Sequence, residues 1–227
     1  MCHVLLGNGI IVEQNVKTKA KIMFGALELF NEYGERNVTT NHIAEHLSIS
    51  PGNLYYHFRN KEEIVRSIFN LYEEELLRHL SPCIDSTDAV GLFEHYMNSI
   101  FTLMWRFRFF YSNLPEILSR DHKLHRDYLL VQKQLRANLF LICDTFQSLN
   151  LINMDEQEQD DLITTIHFIA TNWFSYQSAV TPKEKVTEQD VANGVRQMVS
   201  VMTPHATPKG KEMLNQFAKG LPRSGSF

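Results

Sequence analysis

Apolar residues recur three and four positions apart along most of the chain, the spacing of one helix face. Between positions 16 and 33 they are Ile22, Ala26, Leu29, Phe30 and Tyr33, and Gly34 follows at a place suited to a left-handed stop. A short second helix is predicted from Thr39 or Thr40, either of which can cap it, with Ile43, Ala44 and Leu47 on one face. Ser48-Ile49 is read as a tight turn. Ser50 then caps a third helix, with Pro51 at the first helical position, where its missing N–H costs nothing. That helix runs through Leu54-Tyr55-Tyr56-His57-Phe58. Asn60 caps a fourth, with Glu63 three residues later in a capping-box arrangement, and Ile64, Ile68, Leu71 and Leu76 carry its apolar face to about Leu80.

Ser81-Pro82 ends the fourth helix, and residues 85–88 form a linker that also caps the next. Residues 89–110 predict a long apolar helix, and Leu114-Pro115 breaks or kinks the chain near 113–115. Residues 122–149 predict another, with Leu129, Leu135, Leu139, Ile142 and Phe146 among its apolar positions. A polar, acidic connector leads into a helix at about 160–179, which Thr181-Pro182 stops. A last regular helix spans about 188–202, with Val191, Val195, Met198 and Val199 facing inward, and a short one is predicted near 209–219. No strand and no internal repeat is predicted, so the fold class is all-α with about nine helices.

Composition supports a folded core. Of 227 residues 44% are hydrophobic, and the 21% that are charged mix both signs. The formal net charge of -4 points away from a generally basic nucleic-acid binder, so any DNA contact must come from local clustering. Three scattered cysteines give no disulfide framework and imply a reducing, cytoplasmic setting. The apolar fragment Val4-Leu5-Leu6 has no basic flank and is interrupted by glycine and asparagine, so neither signal peptide nor membrane anchor is expected. Residues 1–16 are expected to be a flexible arm.

Two short helices joined by a tight turn form a helix-turn-helix. The run Thr39-Thr40-Asn41-His42-Ile43-Ala44, then Ser50 through Phe58, then Asn60-Lys61-Glu62-Glu63, resembles the DNA-binding domain of TetR-family transcriptional regulators. The resemblance is close over about residues 17–65; beyond that it is one of layout. It implies a DNA-binding domain at 17–63, a helical ligand-binding and dimerisation domain at 64–203 and a tail at 204–227. By position, Thr40 would contact phosphate and Asn41 a base edge. Ser50, Gly52 and Asn53 would open the recognition helix. Tyr55 and Tyr56 would offer hydroxyls to phosphate and ring faces to a thymine methyl, His57 would lie against the backbone, and Lys61 would anchor a phosphate. Phosphate contacts set register and the few base contacts specify. Ser48 stands where the family usually has glycine, because that turn position takes positive φ; a serine there costs about 1 kcal/mol. Over residues 17–61 six cations face four carboxylates, clustered at the start of the first helix and around 59–61.

The same resemblance implies a homodimer on double-stranded operator DNA, probing two half-sites with its two-fold axis. The interface would use the last two long helices, with Ile166, Ile169, Ala170, Trp173 and Val195 as candidates. A small apolar or aromatic effector would sit among the aromatics of residues 93–111 and their neighbours, with Tyr96, Trp105, Phe140 and Trp173 as candidate pocket residues and Asn98, Arg108 and Asn172 as polar groups to orient it. The bland alternative for these aromatics is plain core. No cofactor or metal is expected. His42 and His46 stand four apart, and His122 and His125 lie near Asp121 and Asp127, but neither set has a third fixed ligand. No phosphate-binding loop, dinucleotide fingerprint or nucleophile elbow is present, so an enzyme is not expected.

Overall fold

The computed structural model describes residues 6–83, 87–181 and 185–221. Asp85 and Ser86 of the expected linker, Pro182, residues 1–5 of the expected arm and residues 222–227 of the expected tail lie outside them. The described residues form ten α-helices, two 3-10 turns and a single isolated bridge, Ile152 with Ala206. The chain divides into two compact units, one ending at Tyr72 and the other beginning at Glu73.

The first unit holds α1 (Leu6–Tyr33), a 3-10 turn (Glu35–Asn37), α2 (Thr40–His46), α3 (Pro51–His57) and the first part of α4 (Lys61–His79). α1 starts at Leu6, where a flexible arm to residue 16 was expected. No proline interrupts 6–33, and extending an existing helix incurs no new nucleation cost. Gly34 ends α1 at φ 80°, and its N–H donates to Phe30 O at 3.0 Å. Ile22, Ala26, Phe30, Ile43, Leu54, Phe58 and Ile64 are all at most 1% exposed, so the faces predicted from their spacing meet in one core. Burial on that scale stabilises by roughly 1.5–3 kcal/mol for each large apolar side chain. Gly25 lets α2 close on α1, since a Cβ there would stand 2.8 Å from Leu47 Cδ2.

The second unit continues α4 and adds α5 (Ala89–Arg106), α6 (Arg108–Arg120), α7 (His122–Ser148), α8 (Glu156–Val180), α9 (Glu188–Met202), a 3-10 turn (Thr203–His205) and α10 (Pro208–Gly220). The kink expected near 113–115 is present at Asn113, and a second break, inside the helix expected over 89–110, falls at Phe107, whose φ -110° and ψ 28° are not helical. Pro115 rides inside α6. Asn113 absorbs the disturbance with φ -130° and ψ 16°, and its Nδ2 donates to Phe109 O at 3.1 Å. α8 starts four residues earlier than expected. Asp155 and Glu158 form a capping box, so the acidic stretch is a first helical turn with charges suited to its dipole. α10 is docked rather than trailing: Met213 and Leu214 are buried, and Phe217 meets Phe93 edge-on at 5.3 Å.

Candidate nucleic-acid interface

Local capping sets the shape of the α2–turn–α3 segment. Thr39 Oγ1 accepts from His42 N at 3.2 Å, and His42 Nδ1 accepts from Thr39 N at 3.4 Å. Histidine thus fills the place usually taken by Glu or Gln in a capping box. The turn closes with Ser48 at φ 53°, the left-handed conformation anticipated for it, and Ile49 N donates to Ala44 O at 2.9 Å. Ser50 Oγ then accepts from Asn53 N at 3.1 Å and starts α3. Leu54 and Phe58 point into the core, so the remaining positions of α3 point outward.

Most sequence candidates share that outer face. Asn41, Gly52 and Asn53 are exposed, and Tyr56 leaves 72% of its surface in solvent. An aromatic ring with a polar tip, held out by a two-turn helix, is suited to contact with a partner of mixed polarity. His57 is half-buried and meets Tyr56 edge-on at 5.1 Å between ring centres. Tyr55 is 48% exposed, but its hydroxyl lies 2.9 Å from Thr40 Oγ1, so this pair ties α3 to α2. Ser50 is engaged as a cap.

Lys61, expected to anchor a phosphate, has partners within its own chain. Its Nζ donates to Glu35 O at 2.8 Å and Val38 O at 3.2 Å and pairs with Glu35 Oε1 at 2.9 Å. Three acceptors match the three N–H bonds of an ammonium group. Glu35 itself is 2% exposed. The sequence carried no signal for this pair, because 26 positions separate its members and neither belongs to a periodic face. His42 as a cap was legible only had histidine been admitted to the capping-box pattern.

The candidates in the second unit do not converge. Tyr96 is buried, lines a core cavity of about 40 Å³ with Leu80, Met97, Cys143 and Met202, and its hydroxyl donates to Ser81 O at 2.9 Å. Trp173 lines a separate groove of about 470 Å³ on the outer side of α8 and α9, with Phe168, Ile169, Asn172, Tyr176 and Gln197. Trp105 stacks under the Arg108 guanidinium at 4.1 Å, and Phe140 lies 5.7 Å from that of Arg136; neither lines these two hollows. Asn98 is exposed. Burial pushes the Cys143 thiol up to about 12.

Of the interface candidates, Ile169 and Trp173 line the outer groove, Ala170 is half-buried, and Ile166 faces the core cavity. Val195 is corrected: it is 0% exposed within its own chain and has no surface to offer a partner. Phe168, Tyr176 and Val180, which sequence reasoning missed, are 65%, 59% and 56% exposed. Their signal was present, since apolar positions on α8 exceed what one face can bury. The histidine pairs are otherwise employed or open. His42 is in its cap, His46 Nε2 lies 3.3 Å from Glu28 Oε2, and His122 and His125 are exposed on α7 beside its cap Asp121. Among the described residues no three metal-ligating side chains gather.

Comparison with known proteins bears on both units. Residues 22–68 match the family model for bacterial regulatory proteins of the tetR family, and residues 71–214 match the TetR model described as a bacterial transcriptional repressor. The biofilm operon icaADBC negative transcriptional regulator IcaR of Staphylococcus epidermidis is 34% identical over 114 residues, covering 47% of this chain and 60% of IcaR. The match thus spans less than two thirds of that relative's length. A TetR-family regulator from Marinobacter aquaeolei shares the fold at a TM-score of 0.78 and 33% identity, over 89% of this chain and 97% of that one. The SmeT–triclosan complex is alike in fold alone, at a TM-score of 0.53 and 15% identity over 85% of this chain and 93% of that one.

Proposed function

Because the chain belongs to the TetR family of bacterial transcriptional regulators, we propose that it acts as a sequence-specific DNA-binding homodimer, a repressor that a small apolar or aromatic ligand releases from a pseudo-palindromic operator. The observation that carries this reading is the outer face of α2 and α3, where Asn41, Gly52, Asn53 and Tyr56 stand exposed around a capped, fully packed helix-turn-helix. Asn53 and Asn41 read base edges, Tyr56 reaches a phosphate or a thymine methyl, and Thr40 with Tyr55 presents one linked pair of hydroxyls to the backbone. The working site is the cytoplasm, where the DNA is.

Two copies meet through α8 and α9. The groove around Trp173, flanked by exposed Phe168 and Tyr176, is an apolar surface that water covers poorly and a second copy covers well. A two-fold dimer reads half-sites about one helical turn, or a multiple of it, apart. SmeT is the relative in fold whose structure carries triclosan, a precedent for a small aromatic effector. A second reading, an effector-independent binder of the same fold, is favoured by the small size of the core cavity, about 40 Å³.

The test is a fluorescence-anisotropy titration with duplex fragments flanking the protein's own gene, at two salt concentrations, comparing wild type with Tyr56→Ala. The expected result is saturable binding that outcompetes random duplex, weakens with salt and drops roughly tenfold or more in the variant. Binding equal to random DNA and indifferent to Tyr56→Ala rejects the proposal.

A further inference from the structure

We propose that the groove between α7 and α8 is a binding site for an amphipathic monocarboxylate. The proposal goes beyond the regulatory reading and does not depend on it. The groove encloses about 310 Å³, at the lower end of the range of small-molecule sites. Leu135 and Ile163, both buried, give it an apolar floor together with Leu139. Lys133, Arg136 and His167 supply its polar lining. It shares no residue with the groove around Trp173. Leu139 and Ile163 also line the core cavity, so they are the wall between the two hollows. An occupant of the α7–α8 groove therefore seats outside the core and needs no parting of helices.

The charge of the groove selects the ligand. Lys133 and Arg136 stand three apart on α7 and so share one side of it. Arg136 Nη1 donates to Thr164 Oγ1 at 3.2 Å, and Nη2 pairs with Asp160. A guanidinium carries five N–H bonds, so these two contacts leave donors for a ligand. Asp160 balances one positive charge. Lys133 is exposed and, among the described residues, has neither ion pair nor hydrogen bond, so its charge is left over. A monoanion restores the balance, and a carboxylate accepts charge-assisted bonds from both cations. His167 adds a third polar group: its Nε2 is buried with no hydrogen-bond partner. Such a group costs about 1–3 kcal/mol, which a ligand oxygen seated against it recovers. Below these groups the aliphatic floor takes a hydrocarbon chain. Residues 133–139 of α7 cover roughly 9 Å of helix axis, a length that fits a medium-chain acid.

The experiment is titration calorimetry on the full chain without DNA, so its outcome is separate from that of the operator titration. The probes are octanoate, 1-octanol (the same chain without the charge) and inorganic phosphate (charge without the chain). The proteins are wild type, Lys133→Gln and Lys133→Arg. Octanoate is expected to saturate one site per chain with a Kd of about 0.1–1 mM, and to raise the melting temperature as its concentration rises. Octanol is expected to bind roughly tenfold more weakly or worse, and phosphate to give no saturable heat. Lys133→Gln is expected to weaken octanoate about tenfold and to leave octanol as it was, while Lys133→Arg retains binding. Lys133 is exposed, so without ligand both variants should melt close to wild type. No saturable octanoate binding, equal affinity for octanol, or an octanoate affinity indifferent to Lys133→Gln each overturns the proposal.

Discussion

Gly194→Ala probes the contact on which the proposed dimer depends. In an ordinary helix interior this change stabilises by up to about 1 kcal/mol, since alanine loses less backbone entropy than glycine. Here α9 meets α8 at Gly194, and a Cβ would lie 2.9, 3.0 and 3.1 Å from Cδ1, Cγ and Nε1 of Trp173. The indole cannot simply slide, because its Nε1 donates to Asp190 O at 2.6 Å. Overpacking costs about 1–3 kcal/mol. Losing the indole hydrogen bond adds about 0.5–1.5 kcal/mol. Set against the helix gain, the net loss is roughly 1–3 kcal/mol, a melting-temperature drop of about 2–10 °C for a chain of this size. Trp173 also lines the outer groove, so dimerisation weakens with it. The assay is thermal unfolding with tryptophan emission in a Trp105→Phe background, which leaves Trp173 as the sole reporter, and sedimentation for the oligomer. A variant that melts 2 °C or more above its parent (roughly the gain a free helix position gives), with an unshifted spectrum, refutes the close approach.

Ser48→Gly relieves the positive φ of 53° at the helix-turn-helix turn and is expected to stabilise by about 1 kcal/mol with operator binding intact; chemical denaturation showing no gain would argue that the serine turn is unstrained. His167 is held below its ordinary value of 6.5, by burial first and by Arg136 second, and its Nε2 is buried without a hydrogen-bond partner. A depressed histidine is neutral in the fold and protonates more readily when unfolded, so the stability it permits is present above about 6.5 and is lost as pH falls toward the lower folded value. His167→Leu should therefore match or exceed wild type at pH 8 and gain on it between pH 6.5 and 5; melting curves that stay parallel over that range would contradict this.

What the sequence disclosed was local. Thr39, Ser50 and Pro51 mark helix starts within a few residues of the helices they cap, and Leu54 and Phe58 lie one turn apart on one face. Such signals need no knowledge of the rest of the chain. What it withheld depends on distant partners. Glu35 and Lys61 find each other across 26 positions, and nothing in either neighbourhood announces it. Pro115 announced the kink that Asn113 takes up, but nothing in the apolar run of 89–110 announced that Phe107 would turn the chain. Val195 shows the limit of periodicity. Its inward-facing position was legible, but the same pattern could not say whether its own chain or a second copy covers it. For the exposed stripe of Phe168, Tyr176 and Val180 the excess of apolar positions on α8 was legible, but which of them stay in solvent is fixed only once the neighbouring helices are in place.

The closed core bears directly on how a ligand would act. A drug-sized molecule needs roughly 300 Å³ or more. The cavity beneath α5, α7, α8 and α9 offers about 40 Å³. An effector of that size enters only if these helices part, so it binds an opened form better than the closed one, and that differential affinity is what shifts a population. Opening is felt at identifiable bonds. Tyr96 and Leu80 both line the cavity; the Tyr96 hydroxyl donates to Ser81 O and accepts from Cys83 N at 3.1 Å, and Asn138 Nδ2 donates to Leu80 O at 3.1 Å. These groups hold the C-terminal end of α4, a helix that runs unbroken from Lys61, so a displaced Tyr96 changes how that helix is held. A molecule small enough to occupy the cavity as it stands leaves every one of these bonds in place, and on the proposed function it is expected to bind without releasing DNA.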